Sequence, residues 1–272
     1  MTKSNMSRRS LIQGGVGLTV ANLIPGTTPL AFAASMEERT VAAAKAAGAA
    51  DVSGMIWSPY LVPMQPVIAE FKKQTGIGVG GVQDISIFDA PQRAMAEALS
   101  RSPQFDFIHI DSNMIPSLAS AGYLEPLDAY MKQADFKIEA VADYANFMTY
   151  KGQTYGIPTD GNDYNLVLFK DQGRPVESVY PAEGSPLITV PSGVFKSAPN
   201  PNAARLLQSF LFSAEAQQIF VDDFAHRSFH ALVKEKPGRT PLSAVKLLKA
   251  DPVAVLAQTE DIKARYARIF GV

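Results

Sequence analysis

Three short stretches hold residue types that could grip a small molecule: Trp57-Ser58-Pro59-Tyr60, Asp84-Ile85-Ser86 and Asp111-Ser112. A flat aromatic ring offers an apolar face, and carboxylates with hydroxyls offer directed hydrogen bonds. Together they suit a sugar or another polyol. Each residue also has an ordinary reading, with Trp57 as a core side chain and Asp111 as a helix cap. What favours the group is placement, because all three stretches fall where a predicted strand ends.

Bond-breaking chemistry finds no such support. No G-x-S-x-G elbow, P-loop or paired cysteine cluster occurs, and the chain has no cysteine at all. The run GIGVGG at 76–81 formally matches G-x-G-x-x-G. It follows a helix and leads into a strand, the reverse of the dinucleotide-binding arrangement. His226 and His230 stand four apart with Asp222 one turn earlier, a spacing that could put metal ligands on one helix face. No H-E-x-x-H glutamate accompanies them, and a surface or helix-end pair is the plainer reading. Asp222-Asp223 reads as a solvated helix face. No nucleophile is paired with a base, so the chain reads as a binder and not an enzyme, with no cofactor and no metal.

The elements that must position these residues alternate. VSGMIWSPY is strand-like, Pro66 opens a helix VIAEFKKQTG closed by Gly76, and IGVGGVQDISI is strand-like again. Asp89 can cap APQRAMAEALSR, in which Ala94, Met95, Ala98 and Leu99 recur at helical spacing. FDFIHID (105–111) is the clearest strand, followed by a helix that Gly122 ends. Strands alternating with helices predict a parallel α/β sheet. In such sheets ligands bind beyond the carboxyl ends of the strands. Farther on, Asn200-Pro201 starts a helix with Ala203, Leu206, Leu207, Phe210 and Leu211 on one face, and Ser213 starts another. Asp251-Pro252 opens a last helix through IKARYARIF.

The amino terminus has a separate character. Lys3, Arg8 and Arg9 precede a moderately apolar run and a small-residue site, Ala31-Phe32-Ala33. This is the pattern of a cleavable export signal over residues 1–33. Asn22, Pro25, Gly26 and Pro29 make it a poor membrane span. Ser7-Arg8-Arg9-Ser10-Leu11-Ile12 resembles the twin-arginine signal, which implies the export machinery as a partner and the periplasm as destination. Removing residues 1–33 takes away three basic residues and no acid, moving the formal net charge from −1 to −4. Such a balance offers nothing to attract nucleic acid.

Two longer stretches carry a family resemblance. FDFIHIDSNMIPSLASAGYLEPLDAYM (105–131) and YKGQTYGIPTDGNDYNLVLFKD (150–171) resemble the first lobe and hinge strand of bacterial extracellular solute-binding proteins. These serve ATP-driven importers, and this portion is most similar to the carbohydrate-binding branch. Residues 179–218 and 228–249 resemble the branch associated with iron and other small charged solutes. The resemblance implies a type II periplasmic-binding-protein-like fold of two α/β lobes joined by crossing strands. It implies a small-molecule solute and the permease subunits of an ABC transporter as partners. Trp57, Ser58, Asp84, Ser86 and Asp111 match first-lobe positions that face the cleft. Asp160, Asn162, Asp163 and Tyr164 match the polar segment where the chain crosses the hinge. With Tyr60, these are the candidate ligand-binding residues. Iron-binding relatives commonly use a paired-tyrosine motif, and no Tyr-Tyr occurs here.

A second-lobe body of roughly a hundred residues would ordinarily follow LVLFKD. Here only about a dozen residues separate that strand from GSPLITVPSGVFK, which returns the chain. Gly173 and Pro175 would let the junction near 171–173 turn locally as a hairpin. The expected division is therefore a signal at 1–33, a complete first lobe at 34–158, hinge strands with a shortened second-lobe junction at 159–195, and a helical segment at 196–272. Function follows as capture of a small solute, carbohydrate first, for a membrane permease. Two alternatives stay open: a ligand such as iron, a polyamine or a small organic ion, or a fusion or deletion remnant without a working cleft.

Overall fold

The computed structural model describes residues 42, 45, 46, 51–133, 148–162, 173, 175, 179–186, 188–230, 232–248 and 251–271. The signal at 1–33, with Arg8, Arg9, Ala31 and Ala33, lies outside the described residues, as do Asp163, Tyr164 and most of the junction. Gly173 sits in a turn with φ +75°, a left-handed conformation that suits glycine.

Strand β1 (Val52–Trp57) starts the described lobe and runs into a 3-10 turn, Ser58–Tyr60, and then helix α1 (Leu61–Thr75). The helix begins earlier than the sequence predicts, and Pro66 lies inside it. Its missing N–H falls against the turn containing Val62, which is well exposed, so water can satisfy the freed carbonyl. Met64, Val67 and Phe71 recur at helical spacing and are buried, and Gly76 ends the helix at φ +75°. Strand β2 (Val79–Ile85) follows, then α2 (Ala90–Ala98). Asp89 occupies the cap position of α2 but makes no side-chain capping bond. Instead the N–H groups of Asp89 and Ala90 donate to the Ser86 carbonyl at 3.1 and 3.0 Å.

Strand β3 is short, Phe107–His109, and leads through a 3-10 turn at Ser112–Met114 into α3 (Ile115–Ser120) and later α4 (Asp128–Gln133). A small hairpin, β4 (Thr149–Tyr150) and β5 (Gln153–Thr154), precedes β6 (Ile157–Asn162). Next come β7 (Ser185–Pro186) and β8 (Ile188–Val194). The main sheet has the order β2-β1-β3-β8-β6. β1 pairs in parallel with β2 and β3, whereas β8 runs antiparallel to both β3 and β6.

Side-chain alternation along the strands divides two cores. Val52, Ile56 and Phe107 face one side, with α1, α5 (Pro201–Leu211) and α6 (Ala214–Phe224); Met55 and Ile108 face the other, with α2 and α3. The result is three layers, helix on sheet on helix. Packing is close: a Cβ on Gly54 would come within 2.2 Å of the Phe107 ring. Asp106 ties the return of the chain to the sheet. Its carboxylate accepts the Ser53 N–H at 2.8 Å and the Asn200 N–H at 2.5 Å, and its carbonyl accepts the Phe195 N–H at 2.9 Å.

Helix α6 is capped by Ser213, whose hydroxyl accepts the Ala216 N–H at 3.2 Å, and it ends at Ala225 with φ +60°. That early stop removes the helical face on which Asp222, His226 and His230 were to align. His226 stacks on Phe220 at 5.8 Å, and His230 packs against Phe212 at 5.3 Å. Burial pushes the His230 imidazole below its usual range, and its Nδ1 accepts the Leu232 N–H at 3.2 Å.

Residues after α6 form no second large sheet among the described residues. β9 (Leu247–Leu248) pairs in parallel with β7, and Asp251 caps α7 (Pro252–Ala257) by accepting the Val253 and Ala254 N–H groups. The predicted last helix is two, α7 and α8 (Thr259–Phe270), separated at Gln258. Among the described residues no helix is long and apolar enough to cross a membrane.

Gln217 is the buried tie between α6 and the sheet. Its Nε2 donates to the carbonyls of Thr159, on β6, and Leu211, and its Oε1 accepts the Ser228 hydroxyl at 2.7 Å. Gln217→Leu leaves those buried groups unpaired and should destabilise the protein by about 1–3 kcal/mol. We expect a fall in melting temperature of roughly 2–12 °C by calorimetry. An unchanged melt would show that the tie carries no net stability.

Candidate functional site

Because β1, β2 and β3 run in parallel, their carboxyl ends share one edge of the sheet. Trp57, Ser58, Asp84, Ser86, Asp111 and Ser112 lie there or in the turns just beyond. β6 and β8 reach the same edge and pass it. Ile157 and His109 both stand opposite Ser192, so β3 stops at that level. Residues 158–162 and 188–191 continue as a two-stranded ribbon, roughly 13 Å beyond the last β3 pair. Asp160 and Asn162 are on this ribbon, opposite Val190 and Ile188.

The ribbon is fixed at its root by a buried polar chain. His109 Nε2 lies 2.8 Å from the Thr159 hydroxyl, which donates to the Val190 carbonyl at 2.5 Å. With its proton used, the Thr159 oxygen accepts from His109, which assigns the Nε2–H tautomer. Neither residue was singled out as functional in the sequence. The available signal was one imidazole in the otherwise apolar FIHI run.

The named residues meet different fates at the edge. Ser58 Oγ donates to Asp84 Oδ1 at 2.5 Å and also lies 3.1 Å from the Ile85 carbonyl, so the first two strands are joined by an exposed hydroxyl–carboxylate pair. Trp57 is half-buried and stacks on Tyr60 with ring centroids 5.7 Å apart. Tyr60, expected to meet ligand, is only 1% exposed. The 3-10 turn swings its ring inward, against His109 at 4.7 Å and His226 at 5.2 Å, so it supports the site from beneath and cannot touch a solute. The Ser86 hydroxyl accepts the Phe88 N–H at 3.1 Å and shapes the turn after β2. That turn displays Phe88, 85% exposed, an aromatic ring at the site's rim that sequence periodicity did not flag.

Asp111 is a buried cap. Its Oδ1 accepts both the backbone and the side-chain N–H of Asn113 at 2.8 Å. Burial nevertheless raises its carboxyl above the ordinary range, the Asn113 bonds opposing this only in part. Next to it the Ser112 hydroxyl is buried with no hydrogen-bond partner among the described residues. Like Tyr60, both groups lie behind the surface, Asp111 at 5% and Ser112 at 1% exposure, so they shape the turn after β3 from within. Among the described residues no group of three or more His, Asp or Glu side chains converges as metal ligands would.

The sign of the Asp111 shift fixes a pH dependence. A carboxyl raised in the fold favours folding below its unfolded value, and that contribution is lost as pH rises through the folded value. Asp111→Asn keeps the acceptor oxygen without the charge. Its melting temperature should gain on that of the unaltered protein as pH rises from about 4 to about 7. Parallel profiles across that window would refute a raised Asp111.

Comparison with known proteins now has something to act on. Residues 67–171 match the family model described as bacterial extracellular solute-binding protein. No curated protein matches the chain in sequence. Among solved structures, the fold is similar to the GacH receptor of Streptomyces glaucescens, determined unliganded and with acarbose. The TM-score is 0.62 at 14% identity, over 81% of this chain and 93% of that one. It is also similar to an ABC transporter structure from Clostridium perfringens, with TM-score 0.59 at 12% identity over 80% and 99% of the two chains. Iron-bound HitA from Pseudomonas aeruginosa gives TM-score 0.55 at 14% identity over 78% and 99%. The chain thus carries the extracellular solute-binding family pattern at 67–171, and its fold is similar to that of ABC substrate-binding proteins.

Proposed function

We propose that the chain is the solute-binding component of an ABC importer, exported to the periplasm and presenting a small polyhydroxylated solute, most simply a carbohydrate, to a membrane permease. The observation that carries this reading is the edge chemistry: the exposed Ser58–Asp84 hydroxyl–carboxylate pair next to the half-buried Trp57 ring. Neutral hydroxyls need mixed donors and acceptors next to a ring face. A ferric ion needs several ionised oxygens converging on one point. The acarbose complex of GacH supports the carbohydrate reading, and iron-bound HitA supports the alternative.

In this reading Trp57 supplies the stacking face and Ser58 and Asp84 the hydrogen bonds, while Asp111 and Ser112, both buried, hold the turn behind them. Ser86 shapes the rim. Asp160 and Asn162, with Asp163 and Tyr164 farther along the chain, belong to the hinge side of the site. Binding, not turnover, is the activity. The ribbon of β6 and β8 is the hinge. The twin-arginine pattern at Arg8 and Arg9 would deliver the protein folded, with cleavage after Ala33.

A thermal-shift titration with neutral oligosaccharides and, separately, ferric citrate tests this. A ligand at a hundred times its dissociation constant adds about 2.7 kcal/mol. For a chain of this size the expected rise is roughly 5–10 °C. A rise with an oligosaccharide that Trp57→Ala abolishes supports the proposal. A rise with ferric citrate alone moves the chain to the iron reading, and a cooperative melt that neither moves denies it a working site.

A further inference from the structure

The pairing of β6 with β8 slips at one place. Pro158 stands opposite Pro191 and Asp160 opposite Val190, so Thr159 has no residue across from it. This is a β-bulge, which bends a strand and re-aims the side chain of the extra residue. It falls at the root of the ribbon, at the level where β3 stops. There the Thr159 hydroxyl meets His109 Nε2 at 2.8 Å and donates to the Val190 carbonyl at 2.5 Å. The Thr159 carbonyl accepts from Gln217 Nε2. Thr159 and His109 are both 0% exposed, so bulk water does not compete for these bonds.

From His109 the contacts continue to the carboxyl edge. Its ring packs against Tyr60 with centroids 4.7 Å apart, and Tyr60 stacks on Trp57 at 5.7 Å with 29° between the ring planes. Tyr60 also meets the His226 ring at 5.2 Å. A buried ring held by three others has little room to turn alone, and close-packed groups transmit strain to their neighbours. A change in the angle of the ribbon at Thr159 therefore displaces His109, then Tyr60, and then the Trp57 ring.

We propose that the Thr159 bulge is the pivot of the ribbon, and that Thr159, His109 and Tyr60 are positioning residues through which the ribbon's angle sets the plane of Trp57. These three act through Trp57 and do not touch solute. The inference rests on the reading of Trp57 as the ring that meets solute and of the ribbon as the hinge, and it names how the two are coupled. Solute on Trp57 favours the ribbon angle that holds that ring, and by reciprocity the ribbon's angle sets the affinity for solute.

Trp57 is the only tryptophan of the chain, so tryptophan fluorescence of the full chain reports on that ring alone. Thr159→Val removes the hydroxyl and keeps the shape. Without any solute, it should shift the Trp57 emission maximum and raise acrylamide quenching, and Thr159→Ser, which keeps the hydroxyl, should leave both as they were. His109→Gln keeps an N–H donor but removes the ring that backs Tyr60, and it should also change both signals. Calorimetry verifies that each variant melts cooperatively. Unaltered Trp57 emission and quenching in a folded Thr159→Val or His109→Gln protein overturns the proposal, as does a Thr159→Ser protein as altered as Thr159→Val. This comparison uses no solute, so its failure is distinct from failure of the carbohydrate reading, which the oligosaccharide titration decides. For an oligosaccharide that binds, Thr159→Val should weaken affinity by about tenfold and Thr159→Ser should not. Equal affinity in Thr159→Val and the unaltered protein overturns the coupling.

Discussion

The structure depends on β8 running antiparallel between β3 and β6. Residues 188–194 come from far along the chain, yet they pair with Phe107–His109 on one side and Ile157–Asn162 on the other. Without that insertion β6 has no place in the sheet. Asp106 would lose the returning segment that donates the Asn200 N–H to it, and α5 and α6 would not be carried over α1. The same insertion makes the ribbon, because β8 and β6 are both longer toward the carboxyl edge than β3. A long-range pairing of this kind must overcome a large loop-closure entropy, and the buried His109–Thr159–Val190 chain and Gln217 help offset it at the ribbon root.

Local signals located most elements of the lobe. The short strand VSGMIW, the apolar face of α5 and the Ser213 cap are consequences of neighbouring residues alone, so they were readable. Three misreadings share one cause, a backbone turn that depends on its surroundings. Pro66 reads as a helix start because proline favours first turns, yet a preceding 3-10 turn carries the helix in five residues earlier. The same turn rotates Tyr60 inward. Ala225 adopts a left-handed conformation that sequence gives no reason to expect of alanine, and the His226–His230 spacing loses its meaning. At the site, residue types and strand ends were legible; burial of Asp111 and the orphan state of Ser112 were not, because both depend on how the turn after β3 packs.

In the proposed reading, the carboxyl edge of the sheet is only half of a cleft. In a two-lobed binder, closure removes water from the ligand and strengthens each hydrogen bond to it. Here the described residues beyond the ribbon contribute the β7–β9 pair, a loop region held by Arg227 and two helices. Arg227 bonds Glu235 at 2.8 Å and the Tyr180 hydroxyl at 2.8 Å, so the segment leading into β7 and β8 is joined to the loop after α6 by a buried guanidinium. In that reading a solute that brings its own ring face would suit Trp57 and the exposed Phe88.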